Sequence, residues 1–420
     1  MKIAIETYGC SANQADSEYM AGLLTREGHA LSPVRSADVV IVNTCTVKSP
    51  TENKIRKRLD YFVKNGRRTV VSGCMPAASP GLSEEYPAFS FIGVNVGDII
   101  HAVDAIEGGG RLVKIQPPGE KVLIPKVRRN DVVEILPVGE GCVGACSFCA
   151  TKKARGTLVS YPERDIVRAS SDAIKCGIKE IWLTGQDTGA YGIDTKTSLP
   201  TLIKRISALP GDFRLRVGMM NPDHALRNLD ELLLAYENPN VYKFLHLPVQ
   251  SGDNQILSDM RRRYTAEEFL TVVSAFRKKF DVTLSTDVIV GYPTEDEKAF
   301  KKTCELIRKT QPDIVNVSRF WRRPDTQAAK LKEHPGRITK DRSRRIQEFV
   351  DEAGMTRNKK WVGWTEESLV SERNKDGTYT ARNDHYKPII ITSDSADLLG
   401  KRIKIEIKSA NSFYLTGTIR

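Results

Sequence analysis

The sequence predicts an α/β protein in which two stretches of alternating strands and helices are followed by a strand-rich tail. Three observations carry that reading. Short β-branched runs at residues 2–8, 39–43 and 69–72 are separated by helix-like segments at 13–27 and 49–65. The alternation resumes at residue 134 and continues to about 320, with a further helical segment at 339–357. Beyond residue 360 helical spacing gives way to short alternating strands and a turn at Lys375-Asp376-Gly377. Repeated strand–helix–strand units imply right-handed crossovers and parallel sheets.

The length of 420 residues suits two to three domains. A 40% hydrophobic and 28% charged composition is that of a globular chain, which excludes a disordered or fibrous protein. The longest apolar runs, such as 39–42 and 389–391, are far too short to cross a bilayer, and the first residues lack the apolar stretch of a signal peptide. The expectation is a soluble cytoplasmic protein without a membrane partner, with its thiols in a reducing compartment. Lys and Arg total 64 against 52 Asp and Glu, a net charge of +12. That balance suits a polyanionic partner, nucleic acid first, and equally suits simple solubility.

In the first stretch Cys10, Cys45 and Cys74 each follow the end of a strand-like run by one or two residues. In a parallel sheet all strand C-termini share one edge, where ligands bind. The three thiols are therefore expected to converge. One such cysteine reads as an ordinary small buried residue. Three at the same place in a repeat do not. The stretch after Asp98, with Gly108-Gly109-Gly110 and Pro117-Pro118-Gly119, reads as a linker. Domain one is assigned to 1–115 and the linker to 116–133.

In the second stretch, 134–356, strands are expected at 134–138, 180–183, 214–217, 244–247, 283–290 and 314–320, with helices at 162–176, 265–280 and 295–310. The first strand leads into GCVGACSFCATK, which spaces Cys142, Cys146 and Cys149 as C-x3-C-x2-C. Small residues between the thiols let the loop aim all three at one centre. Three ligands are one short for structural zinc and for a ferredoxin cluster. They leave one coordination position open to a substrate. A zinc loop completed by His101 or His224 is disfavoured, because no ligand pair of matching spacing follows. Cys176 and Cys304 lie in helix-like stretches and read as packing residues.

C-x3-C-x2-C with an aromatic, Phe148, before the last cysteine resembles the radical S-adenosylmethionine superfamily. The resemblance implies a 4Fe–4S cluster whose open iron is chelated by S-adenosylmethionine. Reductive cleavage of the sulfonium there yields a 5′-deoxyadenosyl radical. It also implies an open partial (β/α)6 barrel, with the cysteine loop at its C-terminal end. A doubly wound sheet domain with three spread cysteines before such a core resembles the methylthiotransferases. The matching words are TYGCSANQADSE, VNTCTV, SGCM, LTGQDTGAYG, HLPVQSGD, MRRRYT and DVIVGYPTE. In that family a second 4Fe–4S cluster, here on Cys10, Cys45 and Cys74, holds sulfur. One S-adenosylmethionine methylates that sulfur, and a second generates the radical that removes a hydrogen from the target carbon.

WLTGQDTGAYG and GMMNPDH resemble the archaeal and eukaryotic branch, which acts on C2 of N6-threonylcarbamoyladenosine at tRNA position 37, next to the anticodon. Eukaryotic members end in a membrane anchor, and the tail LTGTIR has none, so an archaeal-type enzyme is expected. Family alternatives are a ribosomal-protein aspartate or isopentenyladenosine in tRNA. A different class is an RNA-binding protein whose clusters only hold the fold; six thiols arranged for open iron argue against it. The chemistry requires a reductive electron donor.

The resemblance assigns Gln186 and Asp187 to the amine of S-adenosylmethionine, and 287–291, beginning at Asp287, to its adenine. Arg216, Gln250 and Ser251 stand at or near strand ends and read as cofactor-binding residues. Each also reads as a satisfied interior polar group. Arg155, six residues past Cys149, suits either the cofactor carboxylate or a loop cap. Residues 357–420 resemble the TRAM domain, a small antiparallel RNA-binding barrel, with twelve Lys/Arg against eight Asp/Glu. Its aromatics Trp361, Tyr379, Tyr386 and Tyr414 read as base-stacking groups or as barrel core. Basic runs at 54–58, Arg261-Arg262-Arg263, and Arg342 with Arg344-Arg345 suit phosphate contact, the middle run foremost.

Overall fold

The computed structural model describes residues 1–47, 49–79, 81–393 and 397–420. Its first layer is a six-stranded sheet of β1 (Lys2–Thr7), β2 (Ala30–Leu31), β3 (Val39–Thr44), β4 (Arg68–Gly73), β5 (Ser90–Ile92) and β6 (Val113–Lys114), in spatial order 2-1-3-4-5-6. Every pairing in it is parallel. β3 reads VVIVNT and is buried along its whole length, as a central strand covered on both faces must be. Helices Ser11–Arg26 and Asp98–Glu107 cover one face, packing Tyr19, Leu23, Ile99 and Val103 on Ile3, Val39 and Ile41. Helix Ser49–Lys64 covers the other through Ile55, Leu59 and Phe62 on Val40, Val42 and Val71.

The short strands β2, β5 and β6 carry too few residues for a period to show, and the sequence reading omits them. It also takes the stretch after Asp98 for a linker, whereas residues Asp98–Glu107 form a helix. Ile99, Ala102, Val103 and Ile106 are its buried stripe, and the glycines that follow only end it. Nor is the segment 116–133 a solvated tether. Val122 packs in the central core, and Lys121 is 1% exposed between Asp16 and Glu140.

The second layer holds β7 (Val133–Pro137), a ribbon of β8 (Gly139–Glu140) with β9 (Val159–Ser160), then β10 (Glu180–Thr184), β11 (Arg214–Arg216), β12 (Phe244–His246), β13 (Thr283–Val290) and β14 (Ile314–Arg319). Parallel pairings run β7–β10–β11 and β12–β13–β14, and a parallel bridge between Leu215 and Val241 joins the two sets. The result is an open arc of six parallel strands. Helices Glu163–Lys175, Leu199–Ser207, Ala266–Lys279 and Glu297–Thr310 back it, sharing one apolar core. Thr265 and Glu268 form a reciprocal cap at the start of Ala266–Lys279. Cys304 lies in that core, but Cys176 is an exposed helix cap rather than a packing residue.

Helix Gly336–Lys359 crosses from the arc to a closed barrel of β15 (Thr365–Arg373), β16 (Tyr379–Arg382), β17 (Pro388–Ile391), β18 (Arg402–Ala410) and β19 (Leu415–Ile419). The barrel is not antiparallel throughout. β18 already pairs with β15 and β19, so the free edge of β17 closes against β19, which runs in the same direction. The barrel docks firmly on the arc: Tyr386 lies 4.8 Å from both Tyr242 and Phe244 by ring centroid, and Arg214 and Arg402 reach Asp384 and Asp212 across the junction.

Lys121 is fully buried among charges, so Lys121→Met leaves Asp16 and Glu140 with one cation fewer and no water. Removing one partner of a buried charge pair costs about 3–5 kcal/mol. Urea unfolding of the variant should show a loss of at least about 3 kcal/mol; an unchanged midpoint would mean the junction relaxes and rehydrates.

Candidate active site

β1, β3 and β4 are neighbours, so their C-terminal ends stand side by side. Cys10 caps helix Ser11–Arg26, Cys45 follows β3, and Cys74 opens the short helix Cys74–Ala78. Cys45 and Cys74 are buried and Cys10 is exposed. Asn13 ties the loops together: its amide donates to Asn43 Oδ1 (3.1 Å) and Thr44 O (2.7 Å), and Asn43 returns a bond to Asn13 O. Thr44 Oγ1 accepts from Met75 N at 3.1 Å. Gly73 has φ of 90°, and a Cβ there would stand 2.4 Å from both Asn43 Oδ1 and Thr44 O. The chain can turn into Cys74 this tightly only through glycine.

The second triad lies on the loop from β8 to helix Thr151–Arg155. Gly141 N donates to Gln186 Oε1 (2.8 Å), Lys152 Nζ to Gly144 O (2.8 Å), and Ser147 Oγ to Asp259 O (2.9 Å). Arg262 Nη1 donates to Cys146 Sγ at 3.0 Å. Burial pushes the Cys142 thiol up to about 11 and the Cys74 thiol up to about 12. Such thiols stay protonated in the bare protein at neutral pH, and a metal that binds them must displace the protons.

All six cysteines line one cavity of about 730 Å³ at the C-terminal ends of the strands. Among the described residues no three Cys, His, Asp or Glu side chains close on a single ion. The all-thiolate donor sets instead border a space large enough for iron–sulfur clusters and a nucleoside-sized ligand. His224, the offered zinc partner, bonds Asp187 through Nδ1 at 2.7 Å. Burial works to lower its pKa, but its bond to Asp187 and the charges of Asp187 and Asp223 outweigh this and hold it above the ordinary value.

Arg155 connects the two halves. It is 1% exposed, donates to Glu140 Oε2 (2.9 Å) beside its own loop, and reaches Asp16 Oδ2 (2.6 Å) and Asn13 Oδ1 (3.3 Å) in the first domain. Lys121 completes the knot. Arg155 also lines the cavity, and its charge works to lower the Cys74 pKa.

The other expected residues divide. Gln186, Gln250 and Asp287 line the cavity. Gln250 is held at φ of 68°, where a non-glycine residue is strained. Asp187 lies behind the wall; its carboxylate is occupied by Gly189 N, Asn221 N, Asn221 Nδ2 and His224. Arg216 points to the barrel junction, about 5 Å from the rings of Trp182, Phe244 and Tyr386. Sequence reading missed Asn221, Arg319, Trp321 and Arg323 on the cavity wall, and Arg262, read there as a phosphate contact, lies on the same wall.

The basic runs are thinner than they read. Arg58 pairs with Glu6, Arg342 with Glu295, Arg345 with Glu297, and Arg262 with Cys146. Lys54, Lys57, Arg261, Arg263 and Arg344 remain exposed. In the C-terminal barrel Trp361 and Tyr379 are core and Tyr386 is buried at the junction with the arc, whereas Trp364, Phe413 and Tyr414 are exposed.

Fold comparisons give radical enzymes. A Kitasatospora setae radical S-adenosylmethionine methyltransferase, TsrM, matches at TM-score 0.57 and 15% identity over 78% of this chain and 75% of that one. The cobalamin-dependent radical enzyme OxsB matches at TM-score 0.54 and 13% identity over 84% and 56%. Residues 136–307 match the Radical SAM superfamily, residues 359–419 the TRAM domain, and residues 2–92 the uncharacterized protein family UPF0004. Fold and site thus define a radical S-adenosylmethionine protein with an added TRAM barrel. Over 100% of its length the chain is 44% identical to a probable threonylcarbamoyladenosine tRNA methylthiotransferase of Pyrococcus horikoshii, covering 99% of it. It is 36% identical to the Drosophila melanogaster threonylcarbamoyladenosine tRNA methylthiotransferase, again over 100% of this chain and 77% of that protein. The chain belongs to this methylthiotransferase family.

Gly73→Ala should lower stability by about 2 kcal/mol or more, through positive φ and contact with backbone. It should also reduce iron uptake by the first triad. Denaturant midpoints and iron assays on the same preparations check both.

Proposed function

We propose that the protein is a cytoplasmic tRNA methylthiotransferase that places a methylthio group on C2 of N6-threonylcarbamoyladenosine at position 37. Its cofactors are two 4Fe–4S clusters, one held by Cys10, Cys45 and Cys74 and one by Cys142, Cys146 and Cys149, with S-adenosylmethionine serving twice. The observation that carries the reading is the single cavity bordered by both cysteine sets. Two sets that faced separate spaces would not serve one carbon.

When bound, the clusters and S-adenosylmethionine supply the methylated sulfur and the radical abstraction that a strong, unactivated C–H bond demands. The protein supplies placement. Gln186 holds the radical loop by its Gly141 amide, and Arg262 fixes and partly neutralises Cys146. Asn13 and Asn43 hold the first triad's loops in register. Cavity walls of Phe148, Val288, Ile289, Phe320 and Trp321 exclude water from the reacting carbon. No described helix is long and apolar enough to cross a membrane. A reductant delivers the electron from outside the chain.

Anaerobic reconstitution should give about eight iron atoms per chain, and replacing Cys142, Cys146 and Cys149 by Ala should leave about half. The Cys10→Ala, Cys45→Ala, Cys74→Ala variant should cleave S-adenosylmethionine reductively yet form no methylthio nucleoside, as read by mass spectrometry of digested tRNA. Product from that variant, or none from the intact enzyme with modified tRNA, overturns the reading.

The C-terminal barrel should bind RNA through its exposed face. Deleting it would uncover Tyr242 and Phe244, so surface substitutions are the cleaner probe. Loss of a stacking aromatic costs about 1–3 kcal/mol per base. Trp364→Ala with Phe413→Ala should therefore weaken tRNA binding about tenfold or more, with reductive cleavage in the absence of tRNA retained. Equal affinity for tRNA in the double variant would remove the barrel's exposed aromatics from recognition.

A further inference from the structure

The cavity wall holds a cation with an unused donor. Arg323 follows β14 in the sequence WRRPDT and is 6% exposed. Its Nη1 donates to Glu52 Oε2 at 2.8 Å, on the helix that follows Cys45. Its Nη2 is buried and has no hydrogen-bond partner. Buried donors are rarely left this way, because the lost hydration is not replaced. The loop holding Arg323 is fixed: Thr326 Oγ1 donates to Arg323 O at 2.8 Å, and Lys153 Nζ pairs with Asp325 at 2.7 Å. Arg319, at the end of β14, lies 5.0 Å from the Trp321 ring and among the described residues pairs with no carboxylate.

The remaining cations on the wall are engaged. Lys152 donates to Gly144 O, Arg155 to Asp16 and Glu140, and Arg262 to Cys146. The single carboxylate on the described wall, Asp287, is bonded to His246 (2.9 Å) and Asn316 (2.8 Å). Arg323 is thus the wall cation that keeps a buried N–H unpaired, where the β14 loop meets the first domain, and its charge also acts on Cys45.

We infer that Arg323, with Arg319 beside it, receives the carboxylate of the threonyl arm on the substrate base and selects that base over adenines with a neutral N6 group. The inference rests on the proposed function and names its specificity residue. In adenine N6 and C2 lie on carbons flanking N1, so a base that turns C2 to the reactive space sends its N6 arm towards a wall. The arm ends in a carboxylate, and a planar guanidinium with a free N–H is its natural partner. A neutral arm would leave that donor still unsatisfied, which is the basis of rejection.

A second carboxylate, that of S-adenosylmethionine, has the same chemistry, and the test separates them. The probe is an anticodon stem-loop RNA bearing N6-threonylcarbamoyladenosine, compared with the same RNA in which the threonyl carboxylate is a primary amide. Binding to the reconstituted full chain is read by fluorescence anisotropy without S-adenosylmethionine, and the affinity for S-adenosylmethionine is measured separately. The wild type should prefer the acid by about ten- to a hundredfold, the range of a charge-assisted hydrogen bond. Arg323→Gln should bring the preference near one, and Arg323→Lys should restore part of it. Equal wild-type affinity for acid and amide overturns the proposal without any variant. So does a preference that survives Arg323→Gln, or an equal fold-loss of S-adenosylmethionine affinity in that variant. Should Arg323→Gln fail to fold by circular dichroism, the wild-type comparison and the less buried Arg319→Gln decide. Absence of methylthio product from intact enzyme would strike the broader reading, not this one.

Discussion

A single guanidinium holds the catalytic arrangement together. Arg155 grows from the helix behind the second cysteine loop and ends among Asp16, Asn13 and Glu140, where almost no water reaches. Two acids and two cations meet there once Lys121 is counted, so the knot is neutral overall. A buried ion pair seldom adds net stability over an apolar contact, because desolvation consumes much of the Coulomb gain. What it adds is position. An apolar junction between the first sheet and the strand arc would tolerate sliding, whereas Arg155, with Nη1 shared between both oxygens of Glu140 and Nη2 on Asp16, holds one registration. The distance between the two cysteine sets is therefore set by a charge network rather than by loop length.

That network acts on a topology that already favours convergence. Parallel strands deliver their C-terminal ends to one edge, and both the sheet and the arc are parallel. The two edges face each other, so loops after β1, β3 and β4 oppose loops after β8, β12 and β14 across the cavity. Arg323 to Glu52 is a second tie across the same gap, on its far side. The site is thus closed at both flanks by ion pairs between the domains and lined between them by thiols and apolar side chains.

Much of this was legible in the sequence, for identifiable reasons. Cys10, Cys45 and Cys74 could be grouped because strand ends in a parallel sheet obey a rule that needs only the positions of the strands. The second triad could be read because its ligands lie within eight residues. Gln186, Gln250 and Asp287 could be placed at the mouth from strand-end position, aided for Gln186 and Asp287 by the family resemblance. The same rule misplaced Asp187, whose carboxylate is taken by Asn221 and His224 some thirty residues on, and Arg216, whose strand is short and turns its side chain to the barrel junction. Pairings such as 52 with 323 carry no local signal. The basic runs misled for a related reason: a run of arginines is visible, but the acids that neutralise Arg58, Arg342 and Arg345 lie far away in sequence or on neighbouring helices.

The one-cavity arrangement also constrains what the enclosing charges can be. Clusters bound to thiolates carry negative charge into a space of low polarity, and cations on the wall must offset it. Arg155 and Arg262 do so at the cysteines themselves, each also tied to protein acceptors. Their acceptors matter as much as their charge, because an untethered arginine would fold onto the clusters and fill the space a nucleoside needs. Arg323 shares this role, since its charge works to lower the Cys45 pKa while one of its N–H groups stays unpaired, whereas Arg319 rests on an aromatic ring. The proposed function thus asks two things of the same wall, to offset the charge of bound clusters and to keep room for a nucleoside, and the tethering of Arg155 and Arg262 serves both.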